Sequence, residues 1–539
     1  MLRAFDMSET FDYIIVGAGS AGCVLANRLS ANPKNKILLL EAGGTDNKLL
    51  IKMPAAFSHA ISRDKVDWGY ISEPEKHTKD TRHTCPRGRV LGGSSSVNAM
   101  SFVRGQKHDF DDWASMGLDD WSYEKCLPYF RKMETYSVGT DAYRGGDGPL
   151  NVIAPKYSNP LNDVFLAAAD EAGYPLNPDT NGISQEGFGP MDQSIFQGRR
   201  QSTSVAYLKP IQDRKNLVVR THALTQKILF DGTCATGVSY TNRNKQMVAH
   251  ARREVISCCG AINSPQLLLL SGIGPADALQ KMDIPLVAHS ELVGKNLQDH
   301  IDVSVKYVCT KPVSMTPALK AWRKPFIGLE WLLNKTGPAA TNHFEVAGYI
   351  RTDNKMDRPN IQLVFIPLLV NRDGSALDHP HGFQATVMLL RPQSVGSLKL
   401  ASKDPKQAPV IQFNYLQSDK DVSELKDGIK RLRNIFRQPA FEPYLGDEVA
   451  PGNDVQDDHA LEDSIRTHVT STHHPACTCQ MGSKDGSVVD ESGLVRGVSN
   501  LRIVDASIFP MLTSGNINAP VIMAAEKISD VILMAESKR

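Results

Sequence analysis

Residues 11–16 form a short apolar run broken only by Asp12. The glycine-spaced stretch GAGSAG follows at 17–22, and a second apolar run, ILLL at 37–40, ends on Glu41. This order predicts a strand, a tight turn, a helix and a second strand. A similar rhythm returns later: the strand-like EVISCC at 254–259 leads into GAINSPQLLLLSGIGP at 260–275, which predicts a strand, a glycine turn and a capped apolar helix. Between them lies PRGRVLGGSSSVNAM at 86–100, with paired glycines and a run of serines just before a segment expected to start a helix. A loop of that composition either wraps polar backbone around a cofactor or caps a helix. No fixed-period repeat and no low-complexity segment interrupts the pattern, which sets aside solenoids, propellers and disordered scaffolds.

The first stretch carries the most specific chemistry. Gly17 permits the tight turn, Gly19 leaves room for a pyrophosphate against the backbone, and Gly22 lets the helix approach the strand. Glu41, nineteen residues after Gly22, is placed to bind a ribose hydroxyl pair. The phosphates would rest on the helix N-terminus. The motif predicts a dinucleotide and by itself leaves FAD and NAD open.

At 539 residues the chain exceeds what one hydrophobic core usually supports, so two large lobes are expected. A formal charge of +1 and the lack of any long basic run argue against nucleic acid and give no overall field toward an anionic membrane. Nine scattered cysteines, an odd number, fit reduced thiols in a cytoplasmic protein, and no zinc or other metal-ligand spacing occurs. The lead 1–10 carries Asp6 and Glu9 and no apolar stretch, unlike a secretory signal. Nothing later approaches the ~20 apolar residues of a membrane span. The expected location is cytoplasmic, peripheral to the inner membrane at most.

Two further stretches complete the set: HHPACTCQMG at 473–482, and LRIVDASIFP at 501–510 followed by TSGNINAPVIM at 513–523. Five ordered motifs over nearly the whole chain resemble the glucose-methanol-choline (GMC) oxidoreductase family. Within it the chain is most similar to the choline dehydrogenase branch, through WSYEKCLPYF (121–130), QEGFGPMD (185–192), VGKNLQDH (293–300) and TNHFEVAGYIR (341–351). The resemblance implies an α/β fold: a Rossmann-type FAD-binding domain beneath a substrate-binding domain built on a mostly antiparallel β-sheet. The expected FAD domain is discontinuous, 1–155, 203–300 and 466–539, with 156–202 and 301–465 forming the substrate domain.

The same resemblance assigns roles. An alcohol gives its hydroxyl proton to a base while its α-hydride passes to flavin N5. His474 matches the family's catalytic histidine, and Asn516 the position held there by histidine or asparagine. Gly17, Gly19, Ser20 and Gly22 should line the pyrophosphate, with Glu41 and Ala42 at the adenosine ribose. Gly92, Gly93, Ser94, Asn98, Ala99 and Met100 should follow the ribityl chain and flavin ring. Ala223 should stand on the adenine side, and Asp505 and Ala506 should return beside the pyrophosphate. Val97 occupies the place where some members carry a flavin-linking histidine, so FAD is expected to bind noncovalently.

For a quaternary ammonium substrate the site needs aromatic faces and a carboxylate. Glu345 is the candidate carboxylate, with Phe344, Trp68 and Trp331 as candidate cage members. His473 stands where the family often has an aromatic residue. The leading expectation is oxidation of choline to betaine aldehyde, toward glycine betaine, with electrons passed to a quinone or respiratory acceptor. The alternatives are another small primary alcohol, either a hydroxy acid or an alkanol, and a lyase that keeps FAD only as structure.

Overall fold

The computed structural model describes residues 9–62, 66–371, 375, 377–483 and 486–537. Residues 1–8 of the N-terminal lead lie outside the described residues.

Two seven-stranded sheets organise the chain. In the first, Leu217–Arg220, Ile37–Leu40, Glu9–Val16 and Lys245–Ser257 lie side by side in parallel, and Leu501–Ile503 also pairs in parallel with the last of these. Cys234–Asn242 and Ala223–Asp231 extend the sheet as an antiparallel hairpin. Ile37–Leu40 is buried at every position, which explains a run without polar alternation: parallel strands are covered on both faces. Val16 pairs with both Leu40 and Ser257, so three strands finish level and Gly17, Glu41 and Cys258 leave from the same edge. Ligands of such sheets bind beyond that carboxyl edge.

Helix Ser20–Leu29 begins at this edge and packs back on the sheet. Gly17 turns with φ +97°, where a side chain would come within 2.5 Å of the Cys258 carbonyl oxygen. At Gly22 a Cβ would sit 1.9 Å from the Gly17 carbonyl oxygen, so helix and strand close on bare backbone.

The second sheet is antiparallel, in the order Leu445–Ala450, Ile301–Cys309, Gly382–Leu389, Ile361–Ile366, Val346–Ile350 and Gly187–Pro190. The amphipathic helix Asp419–Phe436 packs against it, and Phe165, Phe365, Phe383, Phe436 and Phe441 interlock in the core between them. Strand Thr470–Ser471, expected with the FAD domain, pairs instead with the start of Ile301–Cys309 in this sheet.

The loop 86–100 corrects another expectation. Gly93–Ser96 makes a single 3-10 turn, and the next helix starts only at Lys107. Ser95 and Ser96 turn their hydroxyls back onto the carbonyls of Gly92 and Leu91, each at 2.6 Å, and Gly92, Gly93 and Met100 all take positive φ. Local side-chain bonds of this kind compete with helix formation.

Candidate active site

A cavity of about 320 Å³ opens beyond the carboxyl edge of the parallel sheet, within the size range of ~300–1,000 Å³ usual for ligand sites. Gly17, Gly19, Ser20, Glu41, Ala42, Gly93, Ser94, Asn98, Ala99, Met100, Ala223, Asp505 and Ala506 all line it, together with Val97, His473, His474 and Asn516. Gly22 and Gly92 do not. Gly22 serves the helix–strand contact, and a side chain at Gly92 would run into Ser96 Oγ at 2.2 Å.

The wall at the helix N-terminus is backbone. A Cβ at Gly19 would have nothing nearer than 3.9 Å, whereas one at Gly93 would meet Gly19 Cα at 2.7 Å. This bare slot suits a diphosphate, since free amides and the helix dipole converge on it. Glu41 accepts from the amides of Gly43 (2.8 Å) and Ala18 (3.1 Å), and its carbonyl accepts from the Ala223 amide at 2.8 Å. Burial pushes its carboxyl up to about 7, against the pull of those two amides and Arg89. Asp505 accepts from the Gly260 amide (2.8 Å), Ser264 Oγ (2.6 Å) and the Ser507 amide (2.8 Å), tying the second glycine turn to the C-terminal segment. A bare backbone slot at the helix N-terminus and a buried carboxylate at the neighbouring strand end fit FAD.

His474 is buried, and its network fixes where its proton sits. His300 Nε2 lies 3.0 Å from the Leu390 carbonyl, which can only accept, so that nitrogen carries hydrogen. Burial pushes His300 down to about 4, so the ring is neutral and its Nδ1 is bare. His474 Nδ1, 3.0 Å away, must then donate to it. Thr472 agrees: its hydroxyl donates to the His300 carbonyl at 3.1 Å, leaving its oxygen to accept from His474 Nδ1–H at 3.0 Å. His474 Nε2 is therefore the unprotonated nitrogen, and Asn516 Nδ2 donates to it at 3.1 Å. Asn516 Oδ1 is buried with no partner among the described residues, free for a ligand hydroxyl. Asp299 sets the backbone, accepting the His474 amide at 2.7 Å while Ser471 Oγ (2.5 Å) and Tyr415 OH (2.6 Å) donate to its other oxygen. Burial above all holds the His474 imidazole well below the usual histidine value.

His300, Thr472 and Asp299 had no assigned role in the sequence reading. Their signal lay in the register: Ile301 pairs with Ser471, which places the residues flanking those two strands opposite one another. The motif ending QDH at 298–300 is the extended segment that leads into this pair.

The substrate candidates fare less well. Glu345 is buried but does not line the cavity; its carboxylate accepts from the Ser158 amide (2.7 Å), Asn162 Nδ2 (2.8 Å) and Thr341 Oγ1 (3.1 Å). It braces three segments of the second lobe and has no face left for an ammonium group. Phe344 stands behind Phe57, which does line the cavity, with ring centroids 5.8 Å apart. Trp68 lines the cavity, but the Arg89 guanidinium lies 4.8 Å over its ring and Tyr70 stacks on it at 5.9 Å. Trp331 lies elsewhere, its Nε1 donating to the Gly198 carbonyl at 2.6 Å. His473 lines the cavity in a left-handed conformation, φ 67°, and its carbonyl accepts from Arg87 at 2.5 Å. All nine cysteines are free thiols, seven of them buried.

Family models described as GMC oxidoreductase match residues 11–302 and 392–525. An oxygen-dependent choline dehydrogenase of Yersinia pseudotuberculosis is 50% identical over 529 residues, covering 97% of this chain and 93% of that protein. The crystal structure of a pyridoxine 4-oxidase from Mesorbium loti superposes with a TM-score of 0.89 at 30% identity, covering 97% of this chain and 99% of that one. A formate oxidase variant of Aspergillus oryzae, solved to follow FAD modification, gives 0.92 at 25% identity, covering 99% and 100%.

Proposed function

The chain belongs to the GMC oxidoreductase family, and from that premise we propose that it oxidises choline to betaine aldehyde. As a member it is an FAD-dependent oxidoreductase acting on a CH–OH group. The observation that carries the reaction is the bare Nε2 of His474, held toward the cavity by a hydrogen-bond chain that begins at the Leu390 carbonyl. The half-identical choline dehydrogenase supports choline as the alcohol.

Bound FAD supplies a hydride acceptor for the alcohol's α-carbon. Gly17, Gly19 and Ser20 would hold its diphosphate, Glu41 its ribose, and Ser94, Asn98, Ala99 and Met100 the remainder. His474 Nε2 takes the hydroxyl proton, a contribution of roughly 10²–10⁴-fold. Asn516 Nδ2, which holds that nitrogen until the hydroxyl arrives, then donates to the alcohol oxygen. The proton arriving on Nε2 makes an imidazolium, which Asn516 can no longer serve as donor and which His300 and Thr472 continue to accept from at Nδ1. Val97, at the position of the family's linking histidine, has no atom able to bond a flavin, which supports noncovalent attachment. Electrons leave to a quinone or other respiratory acceptor, from a protein in peripheral contact with the membrane.

One observation favours a second reading. The two carboxylates among the lining residues, Glu41 and Asp505, are engaged by the amides of the glycine turns, so a cationic tail would rest on aromatic faces alone. An uncharged small primary alcohol would need no such partner. Anaerobic flavin bleaching by choline, 3-hydroxypropionate and a plain alkanol separates these: bleaching by choline alone supports the first reading. Bleaching by another alcohol moves the substrate and keeps His474, and bleaching by none rejects the alcohol-oxidising chemistry.

A further inference from the structure

Helix Lys324–Asn334 turns its apolar stripe away from the protein. Phe326, Leu329 and Leu333 recur at three- and four-residue spacing, which places them on one helix face, and they are 69%, 53% and 72% exposed. Leu332 is 46% exposed, and Trp322, just before the helix, 63%. The opposite side holds the helix down: Trp331 is fully buried, with its indole N–H on the Gly198 carbonyl. Surface helices normally turn such a stripe inward, and an outward one marks an interaction face. Lys320, Arg323 and Lys324 stand exposed at its N-terminal end, and Glu330 is the one acidic residue between 318 and 335. The hairpin that receives Trp331 adds an exposed Phe196 and Arg199.

We infer that this face docks on a bilayer containing anionic phospholipid. The charge pattern fits: bulky apolar side chains enter the acyl boundary while the flanking cations meet phosphate, and a tryptophan sits at the border. Among the described residues no helix is long and apolar enough to cross a membrane, so the helix lies in the interface plane. Two hydrogen bonds tie segments beside the docked face to the cavity wall. Arg200, on the same hairpin, donates to the Asn98 carbonyl at 2.6 Å, and Asn342 donates to the Ala99 carbonyl at 2.6 Å; Asn98 and Ala99 both line the cavity. Docking therefore brings the cofactor loop to the bilayer, where a lipid-soluble acceptor is dissolved. That last consequence rests on the function proposed above; the docking does not.

The test is sedimentation of the flavin-loaded full chain with vesicles of phosphatidylcholine alone or mixed with phosphatidylglycerol. The chain should pellet with the mixed vesicles, less so as salt is raised. The double variant Phe326→Ser/Leu333→Ser should partition at least ~10-fold more weakly. Arg323→Gln/Lys324→Gln should lose about fivefold per charge on mixed vesicles and nothing on phosphatidylcholine. Flavin content should stay unchanged in both variants, whatever alcohol bleaches it. A wild-type chain that stays in the supernatant, or a serine variant that pellets like wild type, overturns the inference. So does a solution mass that the serine variant halves without any vesicle binding, which would make the face a contact between two copies.

Discussion

Burial above all keeps the His474 imidazole neutral well below its ordinary value of 6.5. A base must be unprotonated to act, so the rate of flavin reduction should hold its plateau as pH falls through 6.5 and decline only further down. A stopped-flow profile with a half-point at or above 6.5 would contradict the network. His474→Ala should keep FAD and slow reduction by at least ~10²-fold, the scale of a lost acid/base group. His300 touches no substrate and acts through His474, so its removal tests positioning. His300→Leu should slow reduction about tenfold, the worth of one hydrogen bond near 1–1.5 kcal/mol, and raise the acid limb of the profile. His300→Asn, which keeps an acceptor, should recover part of the loss; a leucine variant with an unmoved profile would reduce His300 to packing.

At the scale of elements, the first strand–turn–helix is built from glycines with separable duties. Gly22→Ala puts a methyl 1.9 Å from the Gly17 carbonyl oxygen, so helix and strand must part, at about 1–3 kcal/mol by analogy with overpacked cores. Denaturant unfolding should show that loss. Gly19→Ala meets nothing nearer than 3.9 Å and projects into the cavity; it should leave stability intact and cut flavin content. Equal stability losses in the two variants would refute the division of labour. This unit was legible in the sequence because its turn, its helix start and its acidic residue all lie within one short stretch. The loop 86–100 was legible as a cofactor loop and misread as a helix start, because serine hydroxyls bonding back to Gly92 and Leu91 decide its path. Glu345 was misread for a different reason: its partners Ser158, Asn162 and Thr341 meet it only after the second lobe has folded. His300 was passed over because its importance comes from a strand pairing across more than 160 residues.

At the scale of the whole molecule, a near-zero net charge conceals a local basic, apolar face around helix Lys324–Asn334, which average composition does not reveal. The cavity shows the reverse: its walls come from segments near both ends of the chain, from Val16 to Val521, and its ligand should act as a structural keystone. Glu41 makes that dependence a function of pH. Its folded carboxyl sits at about 7, above the usual 4.5, because burial disfavours the charge. A raised acid pKa adds stability that is fully present below the unfolded value and is lost as pH rises through the folded one. The flavin-free chain should therefore lose stability between about pH 4.5 and 7, by roughly 3 kcal/mol at most. Ribose hydroxyls donating to the ionised carboxylate offset that cost, so FAD should bind more tightly as pH rises through about 7. At a hundredfold excess over Kd the cofactor adds about 2.7 kcal/mol, and the rise in melting temperature it produces at fixed concentration should grow from pH 6 to pH 8. Glu41→Gln, which cannot ionise, should bind FAD more weakly and show no such growth; an unchanged pH dependence in that variant would place the titrating group elsewhere.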